Sequence, residues 1–120
     1  MKIETAVLSS GSDGNSTYIR AGKYSVLIDA GLSGKELERR MALLDIDPSS
    51  LNAVLITHEH NDHIKGAGIL SRRYNLPLYA NQGTWSGAEK KLGKIKNKNK
   101  QIFNGDFMIG NLAFSPYSIS

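Results

Sequence analysis

Cysteine is absent from the 120-residue chain, which excludes disulfide frameworks and thiolate-bound metal at once. A cysteine-free composition fits a reducing compartment, and a cytoplasmic location is expected. No apolar run is long enough to span a bilayer, and no basic-then-apolar leader precedes Ile3, so neither a membrane span nor secretion is expected. Aromatic residues are sparse at 8%, and none is interleaved with the lysines between residues 94 and 100, which argues against a base-stacking platform there. Acidic residues are outnumbered, 11 against 15 Lys and Arg, for a net charge of +4. That mild surplus is compatible with a polyanionic partner without identifying one. There is no internal repeat. Hydrophobic content of 40% and charged content of 22% are ordinary for one small domain with one core.

Histidine is also scarce, at three residues, yet all three fall within Thr57-His58-Glu59-His60-Asn61-Asp62-His63, next to an Asp. The run follows Ala53-Val54-Leu55-Ile56, whose apolar continuity reads as a buried strand. In extended backbone, residues two apart point the same way, so His58 and His60 can offer both imidazoles to one ion. Asp62 and His63 follow as the chain turns, and can reach a second ion or complete the first. Alternation turns Glu59 and Asn61 away, as neighbours rather than ligands. Imidazole with carboxylate suits Zn, Mn or Fe(II) better than Ca or Mg, which prefer oxygen shells. The alternative is a metal-free cluster. Buried imidazoles without metal would leave several donors and acceptors to satisfy, so metal is the preferred reading. A helical two-His protease motif does not fit, because the fourth residue after His58 is Asp62 and not His.

Around the motif, residues 3–8, 17–20 and 25–28 read as strands, with residues 21–24 as the turn between the last two. Ser9 to Ser16 is rich in Ser and Gly. It reads first as a wide hairpin connection, with Gly11 and Gly14 supplying unusual backbone angles, and second as a nest of amides near a phosphate. It is not a Walker loop, since the Gly-Lys-Ser/Thr ending is missing. Asp29, taken alone, is an ordinary turn residue at the end of the third strand. Ser33-Gly34-Lys35-Glu36 is a capping box for a helix of about three turns, with Leu37, Met41 and Leu44 toward the core and Glu36, Glu38, Arg39 and Arg40 toward solvent. Asp47-Pro48 stops that helix. Residues 51–56 form the strand that delivers the motif. A second helix is expected from Ile64 to about Tyr74, then a strand over residues 76–80 with Pro77 at its beginning or on an edge. A third helix follows over roughly residues 83–92, with Trp85 packed on the body. Lys90, Lys91, Lys94, Lys96, Lys98 and Lys100 make the one strong charge bias. The plain reading is a solvated loop. The functional reading is contact of Lys94, Lys96, Lys98 and Lys100 with nucleic-acid phosphates. A hairpin is expected from Ile102-Phe103 through Asn104-Gly105-Asp106 to Phe107-Met108-Ile109. A tight Gly110-Asn111 turn, Leu112-Ala113-Phe114 and a last strand at residues 118–120 complete the chain.

His58-x-His60-x-Asp62-His63 after an apolar strand resembles the signature of the metallo-β-lactamase fold superfamily. Leu27-Ile28-Asp29-Ala30-Gly31 is similar to that superfamily's earlier strand-Asp-x-Gly element. Leu8 through Ser16, Ile64-Lys65-Gly66, Leu76 through Asn81 and Thr84-Trp85 narrow the resemblance to bacterial metallo-hydrolases of YycJ/WalJ type. The resemblance implies an α/β fold, the N-terminal half of an αββα sandwich, with a mixed sheet and flanking helices. Residues 1–120 would be the N-terminal portion of a metallo-β-lactamase-like domain. It implies two divalent ions, zinc first and Mn or Fe as alternatives, with His58 and His60 on one ion and Asp62 and His63 on the other. Asp29 would lie behind the ligands and orient the metal-binding loop, and Asp62 would also orient the attacking hydroxide. The remaining ligands would come from later segments: another His, a bridging Asp and a final His.

The implied activity is hydrolysis by metal-activated water, most specifically of phosphodiesters by a DNA exonuclease. DNA or another phosphodiester would then be the substrate. The same motif serves thioester and lactone hydrolases in the superfamily, so a small-molecule metallo-hydrolase stays open. So does a non-catalytic metal-binding or interaction module.

Overall fold

A computed structural model of the protein describes residues 2–115. Six strands form one sheet in the order β1-β2-β3-β4-β5-β6. β1 (Ile3–Ser9), β2 (Ser16–Ala21) and β3 (Tyr24–Ile28) are antiparallel neighbours. β4 (Ala53–Leu55), β5 (Leu78–Ala80) and β6 (Lys100–Ile102) continue parallel to β3. The change of direction has a local cause. Gly22 and Lys23 alone join β2 to β3, with Gly22 at φ 63°, whereas each parallel step needs a crossover. α1 (Gly34–Leu43) supplies the first, α2 (Asn61–Ile64) with α3 (Ala67–Tyr74) the second, and α4 (Gln82–Leu92) the third. This is the expected mixed sheet with flanking helices. Segments leaving β3, β4 and β5 gather at one end of the parallel strands, and segments entering them gather at the other.

α1 starts at the expected Ser33 cap, and α4 starts at Gln82 behind an Asn81 cap that the spacing did not mark. Ser33 Oγ accepts from the Glu36 amide at 3.2 Å, and Asn81 Oδ1 from the Thr84 amide at 2.7 Å. α1 buries Leu37 and Met41, but Leu44 is half exposed, against the expected stripe. The chain reverses at Asp45 (φ 56°), and Ile46, whose amide bonds the Met41 carbonyl at 2.8 Å, packs on the core instead. The charged face of α1 is not simply solvated. Glu36 pairs with Arg39 at 2.6 Å and Arg40 at 3.0 Å. Glu38 pairs with Arg73 at 2.5 Å and accepts from the Tyr74 hydroxyl, which ties α1 to α3.

The helical face of the sheet carries the larger core, with Leu27, Val54 and Leu78 beneath Leu37, Met41 and Leu70. Full burial of one such side chain contributes about 1.5–3 kcal/mol. On the opposite face Val26, Ala53 and Leu55 meet Ile109 and Leu112. These last two come from a separate antiparallel pair, β7 (Phe107–Ile109) and β8 (Leu112–Phe114). Val26 and Leu27 thus enter different cores, as strand alternation requires.

The hairpin expected between Ile102 and Ile109 does not form. β6 bonds to β5 in parallel, and β7 pairs with β8 in the second sheet. Phe103 and Phe107 stack at 4.7 Å across the connection, and Phe107 stacks on Phe114 at 5.2 Å. The helix expected from Ile64 to Tyr74 is broken at Lys65-Gly66. Gly66 sits so close to Leu32 that a Cβ there would lie 2.3 Å from the Leu32 carbonyl oxygen. β5 is an interior strand, so Pro77 marks its beginning rather than an edge. Trp85 packs on the body as expected: it is buried and donates to the Gln101 carbonyl at 2.8 Å. The strand expected at residues 118–120 lies outside the described residues.

Candidate metal centre

β3 and β4 lie side by side and end level, with Ile28 beside Leu55. The segments that follow them build the centre. After Leu55 the chain leaves regular structure until α2, so His58 and His60 stand beyond the strand end. Asp62 and His63 lie in the single turn of α2. His58 and His60 are exposed, Asp62 and His63 half-buried, and Asp29 is buried.

Asp29 organises this end of the sheet. Its φ of 64° is in the left-handed region, which Asp enters more readily than most residues. Its Oδ1 accepts from the Thr57 amide at 2.7 Å. Its Oδ2 accepts from the Thr57 hydroxyl at 2.6 Å and from His63 Nδ1 at 2.7 Å. A carboxylate has no proton to give, so His63 donates from Nδ1, which in the neutral ring leaves the lone pair on Nε2 open. His63 Nε2 lies 3.7 Å from Asp62 Oδ2. That is too long for a hydrogen bond. It is near the ~3.4 Å that separates two ligand atoms each ~2.0–2.1 Å from a shared tetrahedral ion.

Among the described residues, ligand atoms from Asp29, His58 and His63, one from each, lie within 4.8 Å of one another. Both Asp29 oxygens are already committed to hydrogen bonds, so its chemistry here is that of an anchor behind the ligands. The His58 and His63 rings stand 4.6 Å apart, and the His58 and His60 rings 6.1 Å. Clustered imidazoles with the Asp62 carboxylate beside them fit a borderline divalent ion. Glu59 is turned to α4, where a Cβ on Gly87 would fall 2.7 Å from Glu59 Cγ, and Lys91 Nζ bonds the Glu59 carbonyl at 3.1 Å.

Further residues shape the centre: Asn15 and Thr57, to which the sequence assigned no role, and Ala30 and Gly31, marked only by the resemblance of the strand-Asp-x-Gly element. The Asn15 amide donates to the Asp62 carbonyl at 2.7 Å, and Asn15 Nδ2 reaches Asp62 Oδ2 at 3.2 Å. Gly31 lies beneath the motif, where a Cβ would come 1.8 Å from the Asp62 carbonyl oxygen. The Ala30 amide bonds the His63 carbonyl at 2.8 Å. The Ser-Gly loop is therefore the hairpin connection expected and also a clamp on the motif. The one available signal was an Asn inside a Ser-Gly loop, and no periodicity marks it. Thr57, the residue ahead of the first His, is the other silent member.

The lysines lie elsewhere. The Asn97–Asn99 turn leads into β6, and Asn99 bonds Asn75, close before β5, at 3.0 Å. That is the end of the parallel strands opposite the histidines. Lys94 and Lys96 border a cavity of about 480 Å³ together with Arg72. Lys98 is exposed, and Lys100 pairs with Glu89 at 3.2 Å.

Known proteins resemble this chain in sequence and in fold. Residues 10–114 match the family model of the metallo-beta-lactamase superfamily. The chain is 49% identical over 100 residues to an exodeoxyribonuclease WalJ of Streptococcus pneumoniae, covering 82% of this chain and 37% of that protein. It is 40% identical over 122 residues to an exodeoxyribonuclease YycJ of Bacillus anthracis, covering 100% of this chain and 46% of that protein. The chain thus spans less than half the length of the curated relatives it matches. In fold it is similar to a B3 metallo-beta-lactamase with an active-site glutamic acid, at TM-score 0.75 and 18% identity, over 92% of this chain and 47% of that one. The matched stretch runs from the Ser-Gly loop through the histidine motif to β8, and the chain belongs to the metallo-beta-lactamase superfamily, membership of which implies a divalent-metal centre.

Proposed function

We propose that residues 1–120 are the N-terminal part of a metal-dependent hydrolase that works in the cytoplasm and removes nucleotides from DNA ends. The observation that carries the proposal is the His63 ring, held at Nδ1 by Asp29 at 2.7 Å with Nε2 3.7 Å from Asp62 Oδ2. Relatives named exodeoxyribonucleases, 49% and 40% identical, support the substrate class. The cysteine-free composition supports the compartment, and no helix among the described residues is long and apolar enough to cross a membrane.

His58 and His60 would hold one divalent ion, and Asp62 and His63 a second, with zinc preferred over manganese or iron for an imidazole-rich set. Such ions supply Lewis acidity, acidifying water and drawing charge from a phosphoryl oxygen. The chain's own residues do the positioning. Asp29 fixes the His63 ring, and Asn15 holds Oδ2 of Asp62. Asp62 would also accept a hydrogen bond from the attacking water and aim it. Lys94, Lys96 and Lys98 would meet phosphates remote from the scissile bond. Lys100, already paired with Glu89, would add least.

The test is end-labelled linear duplex DNA incubated with the full-length parent protein, of which residues 1–120 are the N-terminal part, and zinc or manganese. Release of nucleotides from the ends, stopped by a chelator and by Asp62→Asn, is the expected result. Turnover of a thioester or lactone with DNA left intact would instead make this a small-molecule hydrolase. Metal binding with no hydrolysis of either substrate would make it a binding module.

A further inference from the structure

Thr57 stands between the buried carboxylate and the first histidine. Its hydroxyl oxygen lies 2.6 Å from Asp29 Oδ2 and 2.8 Å from His58 Nδ1. A hydroxyl has one proton to give and two lone pairs. Asp29 Oδ2 can only accept, and a bond to an ionised acceptor is roughly twice as strong as one between neutral groups. The shorter contact is also the one to Asp29. The Thr57 proton therefore goes to Asp29, and Thr57 turns a lone pair toward His58. The 2.8 Å contact is then a hydrogen bond only if His58 Nδ1 carries the ring proton. His63 does not compete for the hydroxyl, since its Nδ1 is 3.5 Å away and bonded to Asp29 at 2.7 Å.

We infer that Thr57 is a positioning residue that extends the influence of Asp29 to His58. One buried carboxylate then sets the tautomer of two rings, directly for His63 and through one hydroxyl for His58. Both rings keep the proton on Nδ1 and offer the Nε2 lone pair. A free histidine side chain prefers the opposite tautomer, so the relay reverses a default. The use of Nε2 as a metal ligand rests on the function proposed above, whereas the tautomer does not.

The experiment reads the tautomer itself. The metal-free protein is labelled with ¹⁵N and held above the ordinary imidazole pKa, and two-bond ¹H–¹⁵N correlation spectra report which nitrogen of each ring carries the proton. In the wild type both His58 and His63 should be protonated on Nδ1. Thr57→Val keeps the side-chain shape without the hydroxyl and should release His58 to the Nε2–H form while His63 stays as it is. Thr57→Ser should keep both rings as in the wild type. Zinc affinity, measured by chelator competition, should fall ~10–100-fold in Thr57→Val and be restored in Thr57→Ser. A wild-type His58 protonated on Nε2 overturns the inference whether or not the valine variant folds. So does a folded Thr57→Val protein whose His58 remains protonated on Nδ1. Both wild-type rings protonated on Nδ1 with no zinc binding would uphold the relay and count against the metal centre.

Discussion

Asn15 and Asp62, 47 positions apart, are tied together by main chain and side chain at once. The Asn15 amide bonds the Asp62 carbonyl at 2.7 Å, and Asn15 Nδ2 reaches the same carbonyl at 3.3 Å and Oδ2 at 3.2 Å. A loop from the antiparallel half of the sheet thus holds a carboxylate delivered by the parallel half. Asn15→Ala keeps the main-chain bond and frees the Asp62 side chain. The expected cost is about 1 kcal/mol of stability in urea unfolding. Zinc affinity should also fall by roughly 10-fold in chelator competition. Unchanged affinity would mean that Asn15 only shapes the loop.

Gly31 tests the close approach under the motif. A Cβ at this position would fall 1.8 Å from the Asp62 carbonyl oxygen and 2.6 Å from the Asn15 amide nitrogen, both backbone atoms. Gly31→Ala therefore forces the loop and the motif apart, at an expected cost of about 1–3 kcal/mol and with weaker metal binding. Gly105→Ala is the control, because a Cβ there meets nothing within 4 Å. Equal melting temperatures for the two variants would contradict the packing described.

The histidine motif is legible in the sequence because scarce imidazoles and a carboxylate fall together after Ala53-Val54-Leu55. Asp29 is legible only through resemblance. Its burial depends on β3 lying beside β4, which no local spacing encodes. Asn15 and Thr57 are not legible, because their partners lie 47 and 28 positions away. Leu44 misleads because it continues the helical spacing of Leu37 and Met41 while Asp45 turns the chain back. Asn104-Gly105-Asp106 misleads because it has hairpin chemistry. The partner of β6 is decided instead by its parallel register with β5, and β7 is carried to β8 in the other sheet.

Acid should weaken the ion pairs along α1 and the one that joins it to α3. The Arg39 and Arg40 guanidiniums hold Glu36 down from its ordinary 4.5 to about 2. The Tyr74 hydroxyl, and after it Arg73, holds Glu38 below the usual range. A carboxyl with a depressed folded-state pKa binds more protons when unfolded, so its contribution is complete above the unfolded value and is lost as pH falls through the folded one. Melting temperature should therefore drop between about pH 4.5 and about 2. Glu36→Gln should flatten that drop and converge with the wild type at the acid end. Parallel melting curves across the window would contradict this.

The lysine turn has its own test. Replacing Lys94, Lys96 and Lys98 with Ala should lower the slope of log affinity for DNA against log salt by about 0.9 for each phosphate no longer neutralised. Metal content should not change, since these residues lie at the far end of the strands. An unaltered slope would return the turn to plain solvated surface.

The most direct measurement is the zinc affinity of the protein against its His58→Ala and His63→Ala variants, by competition with a chromogenic chelator. The account predicts that the wild type binds zinc and that each variant binds it weaker by at least on the order of 100-fold, with β-sheet circular dichroism retained. Equal zinc affinity in all three proteins would contradict the metal centre and the hydrolase built on it.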